Sequence, residues 1–404
     1  MRPRDPAARL AARILALAGA AAALAMPART HASIEDLFGF GARSGALAGA
    51  GASVVDGYDA CYENPAGLAG VRTRHLTVGY QYGKFLLEFD RYADPNTQDM
   101  HASVVGAQLP VPFRGALQDR VGLGIAFLAP YGVIARAHVP ASDKPIMVLL
   151  DDRTQVVAVE VAAGLRLSRR FDVGAGVLAL AALVGDINIE ADPSGRIGAR
   201  SEQQLVADYA PIFGVTLHLD EGDIALVYRG VSAAGYDVTI SNNLLDQLPI
   251  GLPQLRLHGV AQYDPRQVTL EAAWHTLPRI RVLTGVTWKR WSDYPGLADV
   301  PSARSRPLPH AIYGDTFTGR IAAERLVGEH GVLRLGYAYE PTPVTTPEYV
   351  VEYDSNRHVF GIGFGLSYAP FQLDLFGQWH VLEREAHSGG NVFTTGLTLG
   401  VDLQ

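Results

Sequence analysis

From about residue 75 to the end of the chain, apolar and polar positions alternate with a period of two. Between Val359 and Tyr368 one face carries Phe360, Ile362, Phe364, Leu366 and Tyr368, and the other carries Val359, Gly361, Gly363, Gly365 and Ser367. From Phe371 to Val381, Phe371, Leu373, Leu375, Trp379 and Val381 oppose Gln372, Asp374, Gln378 and His380. In the last run Phe393, Leu397, Leu399, Val401 and Leu403 oppose Thr394, Gly396, Thr398, Gly400 and Asp402. Such a period marks strands whose two faces meet different surroundings, and no helical spacing accounts for it. Runs of this kind predict fourteen strands, near 74–85, 99–109, 119–131, 153–166, 171–186, 204–218, 222–235, 266–276, 281–292, 315–326, 331–340, 357–368, 371–383 and 392–404.

Alternation alone does not say whether the apolar face points into a soluble core or out into lipid. The connections decide between them. They are short at Ser168–Arg170, Asp220-Glu221, Leu277–Arg279, Val327–His330 and Ala369-Pro370, and long at 132–152, 187–203, 236–265, 293–314 and 341–356. Short turns on one side and long loops on the other are the rhythm of an outer-membrane barrel, and an even strand count returns both termini to the side of the short turns. The reading is therefore an all-β, 14-stranded antiparallel transmembrane β-barrel. Leu255, Leu257 and Val260 could form one more strand; to keep the parity, 254–265 is assigned to a long outside loop.

The front of the chain has a different pattern. Arg2, Arg4, Arg9 and Arg13 precede an apolar run from Ile14 to Ala25, and small residues offer cleavage after Ala25 or Ala32. That is the layout of a secretory signal over 1–32, because twelve or so apolar residues fall short of the roughly 20 that a spanning helix needs. Its removal takes away five arginines and one aspartate and moves the formal charge from −7 to −11. An acidic exported chain is a poor partner for nucleic acid. Forty-three glycines and 19% charged residues, with ample apolar content, exclude a disordered chain. Cys61 is the only cysteine, so no internal disulfide forms; it reads as a small buried residue.

Between signal and strands lies Gly39–Gly70, FGARSGALAGAGASVVDGYDACYENPAGLAG after its first glycine, with no period of its own. It divides the chain into 1–32, 33–72 and 73–404. Its ordered elements are Gly39-Phe40-Gly41-Ala42-Arg43-Ser44, then Gly49-Ala50-Gly51-Ala52, Asp56, Asp59, and Asn64-Pro65-Ala66-Gly67-Leu68. In that order, ahead of fourteen strands, they resemble the N-terminal plug of the FadL-type outer-membrane transporters of long-chain fatty acids and hydrocarbons. Gly122-Leu123-Gly124 with Pro130-Tyr131-Gly132 resembles that family's third strand, and Trp288–Tyr294 its ninth strand. Pro341–Val344, after a Tyr-rich strand, fits its later half.

The resemblance implies a plug inside the lumen, gated through Gly39, Gly41, Gly49, Gly51, Asn64, Pro65 and Ala66, and a lateral opening at Gly122, Gly124, Pro130 and Gly132. It implies passive uptake of fatty acids or related hydrophobic molecules across the outer membrane of a Gram-negative bacterium. The surroundings would be outer-membrane lipid and lipopolysaccharide, the barrel-assembly machinery would insert the chain, and it would act as a monomer with periplasmic termini. The alternative is a structural or assembly barrel with a permanent plug. Ile146, Met147 and Leu149, and Leu244, Leu245, Leu248 and Ile250, are apolar clusters in expected outside loops. They form either a capture groove or strand ends packed on one another. Arg320, Arg334, Lys289 and Arg290 are candidates for an acidic ligand or members of ion pairs with Glu340, Glu324 and Asp293. The ion-pair network is the stronger reading.

Enzymatic signals are missing from the sequence. The twelve histidines are scattered without HExxH or Cys/His metal spacing, Ser44 is not in GxSxG, and the Gly-x-Gly pairs follow no strand. No catalytic residue, metal site or cofactor is expected.

Overall fold

A computed structural model of the chain describes residues 39–89, 99–131, 158–191, 197–242, 255–294, 298–299, 313–345, 355–385 and 388–403; for 89, 131, 181–206, 234–262, 276–277, 298–299, 385 and 388 only backbone is described. The first strands are β1 Arg74–Phe89, β2 Met100–Pro110, β3 Val121–Tyr131, β4 Ala158–Ser168, β5 Phe171–Ala191 and β6 Ile197–Leu219. Next come β7 Gly222–Arg229, β8 Ser232–Asn242, β9 Leu255–Asp264, β10 Gln267–Leu277, β11 Ile280–Lys289 and β12 Ala298–Asp299. The last five are β13 Thr316–Val327, β14 Gly331–Glu340, β15 Arg357–Tyr368, β16 Phe371–Glu385 and β17 Ser388–Leu403.

Fourteen of these close a barrel. Antiparallel ladders join β1 through β7 in order, then β7 to β10, β10 to β11, β11 to β13, and β13 through β17 in order. The closing seam pairs β1 with β17, from Arg74 opposite Leu403 to Phe89 opposite Ser388. Closure gives each wall strand a partner on both sides, which is what allows strands to cross lipid.

The alternating faces part as their chemistry requires. Along β15 Phe360, Ile362, Phe364 and Leu366 are exposed on the outside, Ile362 at 55%, while Val359, Gly361 and Gly363 are buried inward. Aromatic residues flank this apolar band. Tyr368 and Phe371 stand at the short-turn end, and Trp379, stacked on Phe393 at 6.3 Å, stands toward the other. Together they match the girdles of a membrane barrel.

Three expectations change. The long connection expected over 187–203 is mostly strand, because β5 runs on to Ala191 and β6 begins at Ile197, the two pairing from Ile187–Ser201 to Ala191–Ile197. The strand expected over 222–235 leaves the wall at Arg229. Pro211, facing Gly230, has no N–H to return; Gly230 N–H donates to the Pro211 carbonyl at 2.8 Å and the ladder ends. The stretch 254–265, assigned to a loop, contains strand β9. It pairs with β8 as a hairpin outside the barrel, so the wall keeps fourteen strands. On the long-loop side β8 runs parallel to β5, with Leu183 opposite Tyr236 and Ile189 opposite Asn242, and β9 takes β12 on its other edge. The backbone order there is β6–β5–β8–β9–β12.

Residues 39–71 fill the lumen. They form helix α1 Ala42–Ala46, helix α2 Ala60–Glu63 and a 3-10 turn Pro65–Gly70. Phe40, Leu47 and Leu68 are fully buried, each worth about 1.5–3 kcal/mol of apolar burial.

Candidate functional site

Asn64 organises the plug. Its side-chain oxygen accepts from Ala66 N–H at 3.1 Å and so caps the turn that Pro65 starts. Its amide nitrogen donates to the Ala52 carbonyl at 2.7 Å and to Thr216 Oγ1 on β6 at 2.9 Å. One side chain therefore ties three things together: the turn, the earlier part of the plug and the wall.

The wall makes room with glycine. A β-carbon at Gly214 would lie 2.0 Å from Asn64 Oδ1, at Gly174 2.2 Å from the Pro65 carbonyl carbon, and at Gly164 2.4 Å from Ala69 N. The same holds at Gly122, 2.1 Å from Leu68 O, and at Gly124, 2.6 Å from Cys61 Sγ. Across β3 to β6 these positions form a seat that only glycine fits. Gly336 and Gly361 receive Leu47 and Ala46 in the same way on the opposite wall.

Charge holds the other end of the plug. Arg43 reaches Glu324 on β13 at 3.1 Å and Asp56 at 2.7 Å. Glu324 also takes Arg281 of β11 and Arg334 of β14, both at 3.0 Å, and Arg334 reaches Asp374 of β16 at 2.5 Å. Higher up, Glu340 pairs with Arg320 and Arg357. Glu271 of β10, almost fully buried, accepts from Ser53 N–H at 2.8 Å and Ser53 Oγ at 2.6 Å. Arg229 of β7 lies over the Tyr62 ring at 4.1 Å, a cation–π contact, and Tyr62 stacks on Phe40.

Below the plug, on the short-turn side, a polar cavity of about 230 Å³ is lined by Arg43, Asp56, Asp59, His75, Asp374 and Asp402 among others. Asp59, 6% exposed, is pushed up to about 7. Burial is the main cause, Arg43 opposes it, and Asp56, Glu63 and Asp374 add to it. Above the plug, toward the long loops, Tyr263, Trp291, Tyr294 and Tyr313 pack with Val344. Ring centroids are 4.9 Å apart for Tyr263–Tyr294 and 4.8 Å for Tyr294–Tyr313. Burial raises the Cys61 thiol well above its usual range, so it stays a thiol packed against β3.

The expected site residues divide as follows. Gly39, Gly41 and Gly49 take positive φ values of 71°, 123° and 76°, which the plug's turns require. Gly51 meets no neighbour within 4 Å of a β-carbon. Asn64, Pro65 and Ala66 form the capped turn. Gly122 and Gly124 face the plug, and Pro130 lies opposite Ala102 in a β2–β3 ladder that runs without a register shift from Pro110–Gly122 to His101–Tyr131. On its other edge β3 pairs with β4 from Val121–Leu165 to Leu128–Ala158, the first described residue of that strand. Arg320 and Arg334 are ion-paired with two of the carboxylates named for them, and Arg290 pairs with Asp293 at 3.1 Å. Gly132, Ile146, Met147, Leu149, Leu244, Leu245, Leu248 and Ile250 lie outside the described residues. The sequence reading missed Glu271, Arg229, Thr216 and the wall glycines at 164, 174 and 214. The signal that could have found the glycines is their recurrence on the inward face of successive strands.

No protein-family model and no curated protein matches the chain by sequence. Its structure, however, matches solved proteins over most of its length. A FadL homologue from Pseudomonas aeruginosa aligns over 93% of this chain and 100% of its own, at 13% identity and a TM-score of 0.64. The Pseudomonas putida toluene transporter TodX aligns over 92% and 100%, at 15% identity and 0.62. The monoaromatic hydrocarbon channel CymD aligns over 91% and 98%, at 16% identity and 0.60. The chain thus has the fold of the FadL-type channels, the fold its sequence led us to expect.

Proposed function

We propose that this barrel is a FadL-type channel of the Gram-negative outer membrane that takes up hydrophobic small molecules passively, with the short turns facing the periplasm. The observation that carries the reading is the plug. A lumen filled by residues 39–71 and tied to the wall by Asn64, Ser53 and Arg43 is unsuited to a water-filled pore. Stripping a lipid-like molecule into water costs about 0.8 kcal/mol per CH₂, so such a cargo needs an apolar route and a gate. Solved proteins of this fold bear the names of toluene and monoaromatic hydrocarbon channels, which favours a cargo of that kind.

The exit we propose is sideways, beside β3. Leu68 and Cys61 sit against Gly122 and Gly124, so movement of the plug would leave space at that strand. Pro130 weakens its upper end, where it has no amide hydrogen to give.

Vesicles carrying the protein test the reading. Labelled toluene or oleate should enter several-fold faster than in protein-free vesicles, and Asn64→Ala should change that rate. Equal uptake with and without the protein overturns transport and leaves a scaffold barrel with a permanent plug.

A further inference from the structure

The polar cavity below the plug contains one acid that the structure leaves unmatched. Arg43, Arg281 and Arg334 share Glu324, Asp56 and Asp374 among them, three guanidinium groups against three carboxylates. His75 takes Asp402 at 2.8 Å. Asp59 is the remaining acid. It is 6% exposed, lines the cavity of about 230 Å³, and among the described residues makes neither an ion pair nor a side-chain hydrogen bond. Beside it Gln108 Oε1, from β2, is a buried atom without a partner. A β-carbon at Gly57 would lie 2.6 Å from Asp59 Oδ1 and 3.9 Å from Gln108 Oε1, so the two acceptors flank one point on the cavity wall. An unpaired carboxylate and an unpaired amide oxygen, buried together, call for a donor that carries positive charge.

The cavity also restricts what that donor is. No three carboxylates among the described residues converge as a metal ion requires. The space is that of a small molecule rather than a bare ion, and its entrance is acidic, with Asp56 78% and Asp402 45% exposed, which draws cations in. We propose that this cavity binds a small primary alkylammonium ion, whose N–H groups donate to Asp59 and Gln108 while its alkyl part lies beside Tyr58. The bound ion supplies the partner that Asp59 lacks and holds the plug docked from the short-turn side. The inference is independent of the cargo the barrel carries. A proton competes for the same carboxylate, so binding strengthens as pH rises. The other titratable groups around Asp59 are Arg43, Asp56, Tyr58, Glu63 and Asp374, with His75 and Asp402 on the same lining.

Equilibrium dialysis of the full-length protein in detergent with labelled butylammonium measures the affinity, and 1-butanol is the neutral control. Affinity should be about tenfold higher at pH 8 than at pH 6, because the proton on Asp59 leaves near pH 7. Asp59→Asn, which keeps the shape of the protonated acid, should lower the affinity at pH 8 about tenfold or more and flatten its pH response. Gln108→Leu, which leaves the charge in place, should lower it about tenfold. In planar bilayers, butylammonium added on the short-turn side should reduce the conductance of the wild type at pH 8 and leave that of Asp59→Asn unchanged. No binding at pH 8, equal binding of 1-butanol, or a pH response that survives in Asp59→Asn and so belongs to His75, overturns the inference. Equal affinity in the wild type and both variants also overturns it and reduces the cation to a diffuse counter-ion.

Discussion

At the scale of the residue, the plug depends on contacts that tolerate almost no added volume. Gly174 lies against the Pro65 backbone, where a β-carbon would approach to 2.2 Å, and backbone cannot step aside as a long side chain can. Gly174→Ala should leave the barrel inserted but displace the turn. In planar bilayers its conductance should exceed that of the wild type. Thr216→Val removes only one of the hydrogen bonds of Asn64 and should cost about 1 kcal/mol, with little change in conductance. The NPA turn and the partners of Arg320 and Arg334 were readable in the sequence because a rigid turn and opposite charges on inward faces restrict one another. The seat glycines at 164, 174 and 214 were not. Glycine in a strand reads as a bend until the neighbouring surface is known.

At the scale of the element, the plug is a short chain held by charge, and its hold should respond to substitution and to pH. Glu324 faces Arg43, Arg281 and Arg334 together, so Glu324→Gln leaves half-buried Arg281 without this carboxylate and buried Arg334 and Arg43 with only Asp374 and Asp56. That should cost about 3–5 kcal/mol, measured as earlier unfolding in urea and faster hydrogen exchange over 42–46. For Asp59 the sign is opposite to that of a stabilising carboxylate. Its docked-state value, about 7, lies above the ordinary 3.8, so the docked plug holds a proton that the released plug gives up. Docking should weaken as pH rises from about 4 to about 7 and level off above. Conductance should be greater at pH 8 than at pH 5, and Asp59→Asn should flatten the difference. The hairpin β8–β9 also belongs to this scale. Its alternating residues look like any strand pair, and only Pro211 opposite Gly230 takes them out of the wall.

At the scale of the whole molecule, the barrel is stabilised by two surroundings at once, lipid outside and plug inside. Ile362 is 55% exposed midway along β15, while its neighbours Gly361 and Gly363 meet Ala46 of the plug. Ile362→Arg places a charge in lipid and should cost about 2–4 kcal/mol near the midplane, read as a lower folded fraction in vesicles. Arg120→Lys, which keeps the charge at an exposed position just before β3, should leave folding unaltered.

The sequence by itself determined most of the wall strands, their number and the lipid-facing side, because a period of two and alternating loop lengths are local properties that each segment carries. It also marked the plug, through the order of Gly39-Phe40-Gly41 and Asn64-Pro65-Ala66. Only the tertiary structure decided what meets what: Asn64 with Thr216, three arginines with Glu324, β8 with β5, and Asp59 with Gln108. The reason is physical. Those pairs lie far apart in the chain, and their meeting depends on barrel closure and strand register, which no single segment contains.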